Sequence, residues 1–131
     1  MPRLYREAPV NAIWEGSGNV QCLDIARAIA KSPQTLEAYF AEVGAAKGNA
    51  ALDAHVEALK ADTRDLSDFE ARARDLCDRL AIGLEAAALI RAGSPVADAF
   101  CRSRLTSRGA HNYGALTGVD AKAIVRRAAA R

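Results

Sequence analysis

Apolar residues recur every three or four positions along most of the chain, which is the spacing that puts them on one face of an α-helix. This periodicity predicts five helices, at about 18–31, 33–44, 50–61, 67–92 and 95–107, and a short last helix at about 120–130. Residues 1–8 are typical of a helix end, because Pro9 disfavours helical geometry in the residue before it. The pattern therefore predicts an all-α bundle of about five helices plus a short C-terminal helix.

Helix starts are marked by side chains that satisfy the unpaired N–H groups of a first turn. Ser17 is placed to cap the first predicted helix, and Ser32 to cap the second, with Pro33 at its first position. Ser67 and Glu70 have the spacing of a capping box, which satisfies two N–H groups reciprocally. These signals predict where three of the helices begin.

The apolar stripes of these helices predict the core. The residues expected to face inward are Val20, Leu23, Ala26, Ile29, Leu36, Tyr39, Phe40, Val43, Leu52, Val56, Leu59, Phe69, Ala73, Leu76, Leu80, Leu84, Ala87, Val96, Phe100 and Leu105. From position 80 to 90 the fourth predicted helix is apolar nearly all round, so we expect it to be central in the bundle.

Composition supports the helical class and limits the size of the fold. Alanine, the best helix former, supplies 30 of the 131 residues, whereas aromatic residues make up only 5%. The length suits one domain, which we predict to consist of a bundle over 1–108 and a basic tail over 109–131. No stretch approaches ~20 apolar residues, and residues 1–11 lack a signal peptide's apolar region, so we expect a cytoplasmic protein without a membrane span.

Charge is distributed unevenly although the formal net charge is only +2. Residues 53–78 hold eight acids and four bases, a net of −4. Residues 99–131 hold seven bases and one acid, a net of +6. The basic charge is therefore concentrated at the C-terminal end.

One segment, residues 13–19, combines chemistry that a plain helix entry does not need. Glu15 follows Trp14 and precedes Gly16 and Gly18, and glycines let a ligand approach the backbone closely. A carboxylate in apolar surroundings is a candidate general base, and the helix that follows offers N–H groups to an anion. The alternative is an ordinary helix entry, in which an acid near the N-terminus is favoured by the helix dipole.

A long block at the start, residues 2–29 (PRLYREAPVNAIWEGSGNVQCLDIARAI), resembles the late C-terminal region of acyl-CoA dehydrogenases. In that family a charged helix end leads into an Ile-Tyr-Glu-Gly-Thr type of turn and then into a helix. The likeness is narrower to the alkylation-response group within the family, with residues 94–101 (SPVADAFC) as a second point of similarity. The turn here has Ser17-Gly18 where many members have threonine.

The resemblance implies specific roles for residues of this turn. Glu15 matches the glutamate that abstracts the α-proton of an acyl-CoA thioester while hydride passes to FAD, and Gly16 matches a substrate-contacting position. Ser17, Gly18 and Asn19 match positions close to FAD. The family's full chain also has an N-terminal helical domain and a β-domain, which this sequence lacks, so we expect no acyl-CoA dehydrogenation by the isolated chain. Family members are oligomers, which implies a homo-oligomer or a partner carrying the other domains.

The basic end suggests a different function, the binding of duplex DNA through phosphate contacts. The candidate residues, which repeat at helical spacing, are Arg102, Arg104, Arg108, Lys122, Arg126 and Arg127. Proteins of the alkylation-response group bind duplex DNA through their C-terminal helical region, which supports this alternative by resemblance. Exposed arginines on an alanine-rich helix also occur simply as a solvated face.

The histidines and cysteines give no comparable indication of a functional site. His55 and His111 are isolated and lack the spacing of metal ligands, so we predict no metal site. Cys22, Cys77 and Cys101 form no CxxC pair and are predicted to be reduced thiols. A third hypothesis is a fragment without activity, in which apolar residues around Trp14 lie uncovered.

Overall fold

The computed structural model describes residues 2–14, 16–106 and 118–129, and every regular element within them is helical. The elements are α1 (Pro2–Glu7), a 3₁₀ helix (Ala8–Ala12), α2 (Gly18–Lys31), α3 (Gln34–Gly44), α4 (Ala50–Asp62), α5 (Phe69–Arg91), α6 (Ala97–Arg104) and α7 (Ala121–Ala128). The all-α prediction is confirmed, and the predicted helices are all present with ends that differ by at most a few residues.

Helix α5 is the centre of the bundle. It is 23 residues long and packs against α2, α3, α4 and α6. Tyr39 of α3 bonds to Leu80 while Glu42 pairs with Arg91, so α3 and α5 run in the same direction. Two-residue and five-residue connections reverse the chain before α3 and α4, as expected for neighbouring antiparallel helices.

The core consists of two apolar clusters along α5. The first contains Ile29, Leu59, Phe69, Ala73, Leu76, Cys77 and Leu80. The second contains Val43, Ala46, Leu52, Val56, Ala86, Ala87 and Cys101. Most of these are residues that the periodicity predicts, and no polar side chain among the described residues is buried in either cluster.

Two residues predicted to face inward lie at the surface instead. Val20 is 44% exposed and Leu84 is 43% exposed. Val20 lies against the backbone of Gly16, since a Cβ placed on that glycine would lie 3.0 Å from Val20 Cγ1. Leu84 belongs to a stripe of α5 that is exposed among the described residues, together with Ala81 and Ala88.

The predicted helix starts are only partly correct. Ser17 holds the N-cap position of α2, but its side chain makes no capping bond. The predicted capping box at Ser67 is wrong: α5 begins at Phe69, and the Ser67 N–H donates to Asp65 Oδ1 at 2.9 Å. Asn49 provides a full cap instead, because its side-chain oxygen accepts from two N–H groups of the first turn of α4.

Helix α3 also starts one residue later than predicted. Its first residue is Gln34, and Pro33 precedes it instead of occupying its first position. The Ser32 hydroxyl donates to Gln34 Oε1 at 3.1 Å rather than accepting from the backbone. Ends of helices shift by a residue or two when local polar contacts compete with the regular hydrogen bonds.

Two polar side chains contact the backbone of α5 beside Gly83. The Tyr39 hydroxyl donates to the Leu80 carbonyl oxygen at 2.8 Å, and His55 Nε2 lies 2.9 Å from the Arg79 carbonyl oxygen. A carbonyl only accepts, so Nε2 carries the proton of the neutral imidazole. Burial raises the pKa of Tyr39 to about 12 and lowers the pKa of His55, and the nearby Arg79 charge lowers the His55 pKa further. Both groups are therefore held neutral.

Candidate functional site

The segment before α2 is a tight turn held by backbone hydrogen bonds. The Trp14 N–H donates to the Val10 carbonyl oxygen at 2.8 Å, and the Gly16 N–H donates to the Ile13 carbonyl oxygen at 3.1 Å. Gly16 has a φ of 120°, a conformation that residues with a side chain rarely adopt. Glycine at position 16 is therefore required by the turn itself, whatever ligand approaches it.

Gln21 fastens this turn to the first turn of α2. Its side-chain amide donates to the carbonyl oxygens of Trp14 at 3.1 Å and Gly16 at 3.2 Å. The two acceptors flank Glu15 in the sequence, so Gln21 fixes the backbone on both sides of that residue. Sequence reasoning missed Gln21, although an amide one turn into a helix that follows a glycine turn is a usable signal.

Arg74 of α5 places a positive charge over the start of α2. Its Nη1 donates to Asn19 Oδ1 at 3.2 Å, and a Cβ on Gly18 would lie 2.6 Å from the same nitrogen. Because Gly18 has no side chain, the guanidinium lies close to the helix N-terminus. The structure thus adds Arg74 to the segment Gly16–Asn19, a residue that sequence reasoning missed, while the predicted roles of Gly16, Ser17, Gly18 and Asn19 stay predictions.

Glu15, the predicted base, lies outside the described residues, so its geometry stays a prediction. The two residues directly before Glu15 are described: Ile13 is 70% exposed and Trp14 is 66% exposed. The other described residues leave most of Ile13 and Trp14 exposed to solvent. An apolar environment for a carboxylate at this position would have to come from whatever covers Ile13 and Trp14.

An exposed apolar surface surrounds the turn. The side chains that form it are Leu4, Tyr5, Val10, Ile13 and Trp14, which we term the N-terminal apolar surface. Helix α1 packs against the 3₁₀ helix and has no buried residue. The exposure expected for the apolar residues around Trp14 is therefore present in the structure.

The predicted nucleic-acid residues fall into two groups. Arg104 and Arg127 line a groove of about 430 Å³ between α6 and α7. Arg102 and Arg127 line a neighbouring groove of about 330 Å³. Arg102 Nε lies 3.0 Å from Asp98 Oδ2, and Arg127 Nη1 donates to Ser94 Oγ at 2.9 Å. The remaining candidates are separate: Lys122 is exposed on α7, Arg126 lies 3.8 Å from Asp120, and Arg108 is outside the described residues.

Metal ligands are not grouped in the described part of the chain. No set of three or more His, Cys, Asp or Glu side chains there could hold a metal ion. His55 is bonded to the Arg79 carbonyl, and His111 lies outside the described residues. Among the helices of residues 2–14, 16–106 and 118–129, none is long and apolar enough to cross a membrane.

Comparison with known proteins gives one informative match. No family model matches the chain, and no solved structure matches it. The chain is 40% identical over 114 residues to AidB of Escherichia coli (strain K12), which is named as an acyl-CoA dehydrogenase. The match covers 83% of this chain but only 20% of AidB. The resemblance predicted from residues 2–29 is thus confirmed: over most of its length the chain is similar to a region of an acyl-CoA dehydrogenase, and the relative that shows this is AidB.

Proposed function

We propose that the chain acts as the helical C-terminal part of an AidB-like flavin-dependent acyl-CoA dehydrogenase, with the turn at residues 13–19 as its contribution to the active site. The observation that carries this proposal is the construction of that turn. Gly16 is held at a positive φ, and Gln21 bonds the carbonyl groups before and after Glu15. Such fixed backbone suits a residue whose carboxylate must be positioned within a fraction of an ångström.

The residues at the start of α2 fit FAD through its diphosphate. The first N–H groups of a helix favour an anion, and the Arg74 guanidinium adds a full positive charge at Gly18. The Ser17 side chain makes no capping bond to its own helix, so its hydroxyl is available to a ligand. We assign cofactor contacts to Ser17, Gly18 and Asn19. Bound FAD would supply the acceptor for a hydride from the acyl β-carbon.

The protein's own part in the reaction is proton transfer at the α-carbon. In this proposal the Glu15 carboxylate removes that proton, and Gly16, without a side chain, lets the acyl-CoA thioester approach. A carboxylate becomes a stronger base when it loses water and is surrounded by apolar groups. Ile13 and Trp14 directly precede Glu15 and are exposed, so this environment forms only when a further part of the enzyme covers the N-terminal apolar surface.

For the isolated 131-residue chain we expect no saturable flavin binding in the micromolar range and no acyl-CoA oxidation. Contacts remote from the reacting atoms supply much of the energy that positions substrates, and the chain spans only a fifth of the length of AidB. The measurement is a fluorimetric titration of FAD, followed by addition of acyl-CoA. Tight stoichiometric binding with bleaching of the flavin by acyl-CoA would contradict this expectation.

The active-site assignment itself needs the rest of an enzyme. A chimera in which this chain replaces the matching fifth of E. coli AidB should retain FAD. Acyl-CoA should reduce the flavin bound to this chimera. In the chimera, Glu15→Gln should slow flavin reduction by about 100-fold or more with FAD content unchanged, because only the base is lost. The control Glu85→Gln changes an exposed glutamate on α5 and should have no effect. A soluble chimera without FAD, or equal rates for both variants, would refute the assignment.

A second candidate function is the binding of duplex DNA at the basic end. The observation that favours it is that arginines line two neighbouring grooves between α6 and α7: Arg104 and Arg127 line one, and Arg102 and Arg127 line the other. Phosphate contacts make affinity fall with salt, and each one adds about 0.9 to the slope of log K against log salt. We expect Arg104→Ala with Arg127→Ala to lower this slope by about 2 in gel-shift titrations with random duplex DNA.

The control for DNA binding is Arg64→Ala, which removes an exposed positive charge from the acidic segment 53–78. It should leave both the affinity and the salt slope unchanged. An affinity that does not depend on salt, or a loss of the same size in the control, would rule out phosphate contacts at the groove.

A further inference from the structure

Two cysteine side chains meet where α2 packs against α5. The Cys77 thiol donates a weak hydrogen bond to the Cys22 carbonyl oxygen, with 3.8 Å between sulfur and oxygen, so the fold places the two residues next to each other. They are 55 residues apart in the sequence, so only the fold brings them together. The spacing of the cysteines in the sequence does not predict this pair, because it contains no CxxC motif.

We propose that Cys22 and Cys77 form a redox modification site, at which a hydroperoxide converts the two thiols into a disulfide that joins α2 to α5. The site has one accessible and one protected sulfur, because Cys22 is half-buried and Cys77 is 8% exposed. Disulfides in intracellular proteins are usually sensing or catalytic rather than permanent, and such a site requires two cysteines that the fold places next to each other.

The difference in exposure sets the order of the two steps. Cys22 Sγ attacks the O–O bond of hydrogen peroxide, which gives a sulfenic acid on Cys22 and releases water. Cys77 Sγ then attacks the Cys22 sulfur: the S–S bond forms, the S–O bond breaks, and the hydroxide leaves with the thiol proton as a second water. Two thiols are oxidised and one peroxide is reduced. Burial raises the pKa of Cys77, so the second step accelerates at higher pH, where more of Cys77 is thiolate.

The crosslink would act on the element that carries the candidate site. Cys22 lies one turn after Asn19, whose side chain already bonds to Arg74 of α5. A covalent bond between α2 and α5 would fix the start of α2 against α5. The crosslink is independent of the proposed function, because its formation needs neither FAD nor acyl-CoA.

Cys101 provides an internal control. It is 0% exposed and belongs to the second core cluster, whereas Cys77 belongs to the first. Peroxide should therefore leave Cys101 as a thiol while the other two cysteines react. Cys101→Ala should behave as the parent protein does.

The test is peptide mapping of the full chain after treatment with hydrogen peroxide and alkylation of the remaining thiols. Trypsin places Cys22 in the peptide 7–27, Cys77 in 75–79 and Cys101 in 92–102. We expect 7–27 to be linked to 75–79 in a product that migrates as a monomer and is reversed by dithiothreitol. The Tm of this product should rise by about 5–10 °C, since the bond closes a long loop of the unfolded chain.

Two variants separate the crosslink from other oxidation. Cys22→Ala and Cys77→Ala should each abolish the linked peptide and the rise in Tm, while Cys101→Ala should keep both. Mapping the parent chain gives an answer even where a variant folds poorly. Oxidation of Cys22 to the sulfinic acid without a linked peptide, or dimers joined through Cys22, would overturn the proposal.

Discussion

Leu76→Ala is expected to lower the free energy of unfolding by about 3 kcal/mol, within the range of about 2–5 kcal/mol for such core truncations. Leu76 is 0% exposed and lies in the first core cluster, on the side of α5 that faces its neighbours. The variant loses the free energy gained by transferring most of the leucine side chain from water into the core. It also leaves a cavity that the rigid helix backbone cannot close. Urea unfolding followed by circular dichroism measures the change, provided that the m-value stays constant.

The matched control is Leu84→Ala on the same helix. The hydrophobic pattern assigns both leucines to the inner face, whereas Leu84 is 43% exposed in the structure. We expect this variant to cost less than about 1 kcal/mol, since much of its side chain is already in water. Equal losses for the two variants would mean that the exposed stripe of α5 is covered in solution, for example by a second copy of the chain.

The difference between these two leucines shows what periodicity can and cannot predict. An apolar stripe identifies a helix and its approximate ends, and it placed α5 correctly at the centre of the bundle. The stripe does not predict how many faces of a helix pack against other helices. For an alanine-rich helix that is apolar nearly all round, that depends on the packing of four other helices, which no local pattern encodes.

The candidate site, like the core, could be predicted from the sequence only in part. Residues 13–19 stand out by composition and by their likeness to acyl-CoA dehydrogenases, and the turn before α2 is where the sequence places it. Gln21 and Arg74 were missed for different reasons. Gln21 acts through hydrogen bonds to backbone atoms, which leave no hydrophobic pattern, and Arg74 reaches Asn19 from 55 residues away.

Gly83 is the position at which helix propensity and packing predict opposite results. In the middle of a helix, alanine is favoured over glycine by about 1 kcal/mol, so propensity alone predicts that Gly83→Ala stabilises the protein. The structure predicts a loss. A Cβ at this position would lie 2.7 Å from the Tyr39 hydroxyl oxygen and 3.3 Å from two atoms of the His55 ring.

We expect Gly83→Ala to destabilise the protein by about 2 kcal/mol net of the gain in propensity. To relieve the overlap, the Tyr39 hydroxyl must leave the Leu80 carbonyl oxygen, and α3 or α4 must move away from α5. The half-buried hydroxyl loses its hydrogen-bond acceptor, and a helix contact is displaced. Each of these losses in free energy is larger than the gain in helix propensity from glycine to alanine. Thermal and urea unfolding of the variant measure the net effect.

Two comparisons make the Gly83 result specific. Gly44→Ala adds the same methyl group at the end of α3, where a Cβ would meet nothing within 4 Å, and should be neutral or stabilising by up to about 1 kcal/mol. In a Tyr39→Phe background the closest contact is gone, so Gly83→Ala should cost less than it does in the parent protein, by a coupling energy of about 1 kcal/mol. Stabilisation by Gly83→Ala in the parent, or an identical cost in both backgrounds, would show that Tyr39 does not limit the approach of α3 to α5. The contact matters beyond stability, because α5 also carries Arg74, which bonds to Asn19 at the candidate site, and Cys77, which bonds to the Cys22 carbonyl oxygen of α2.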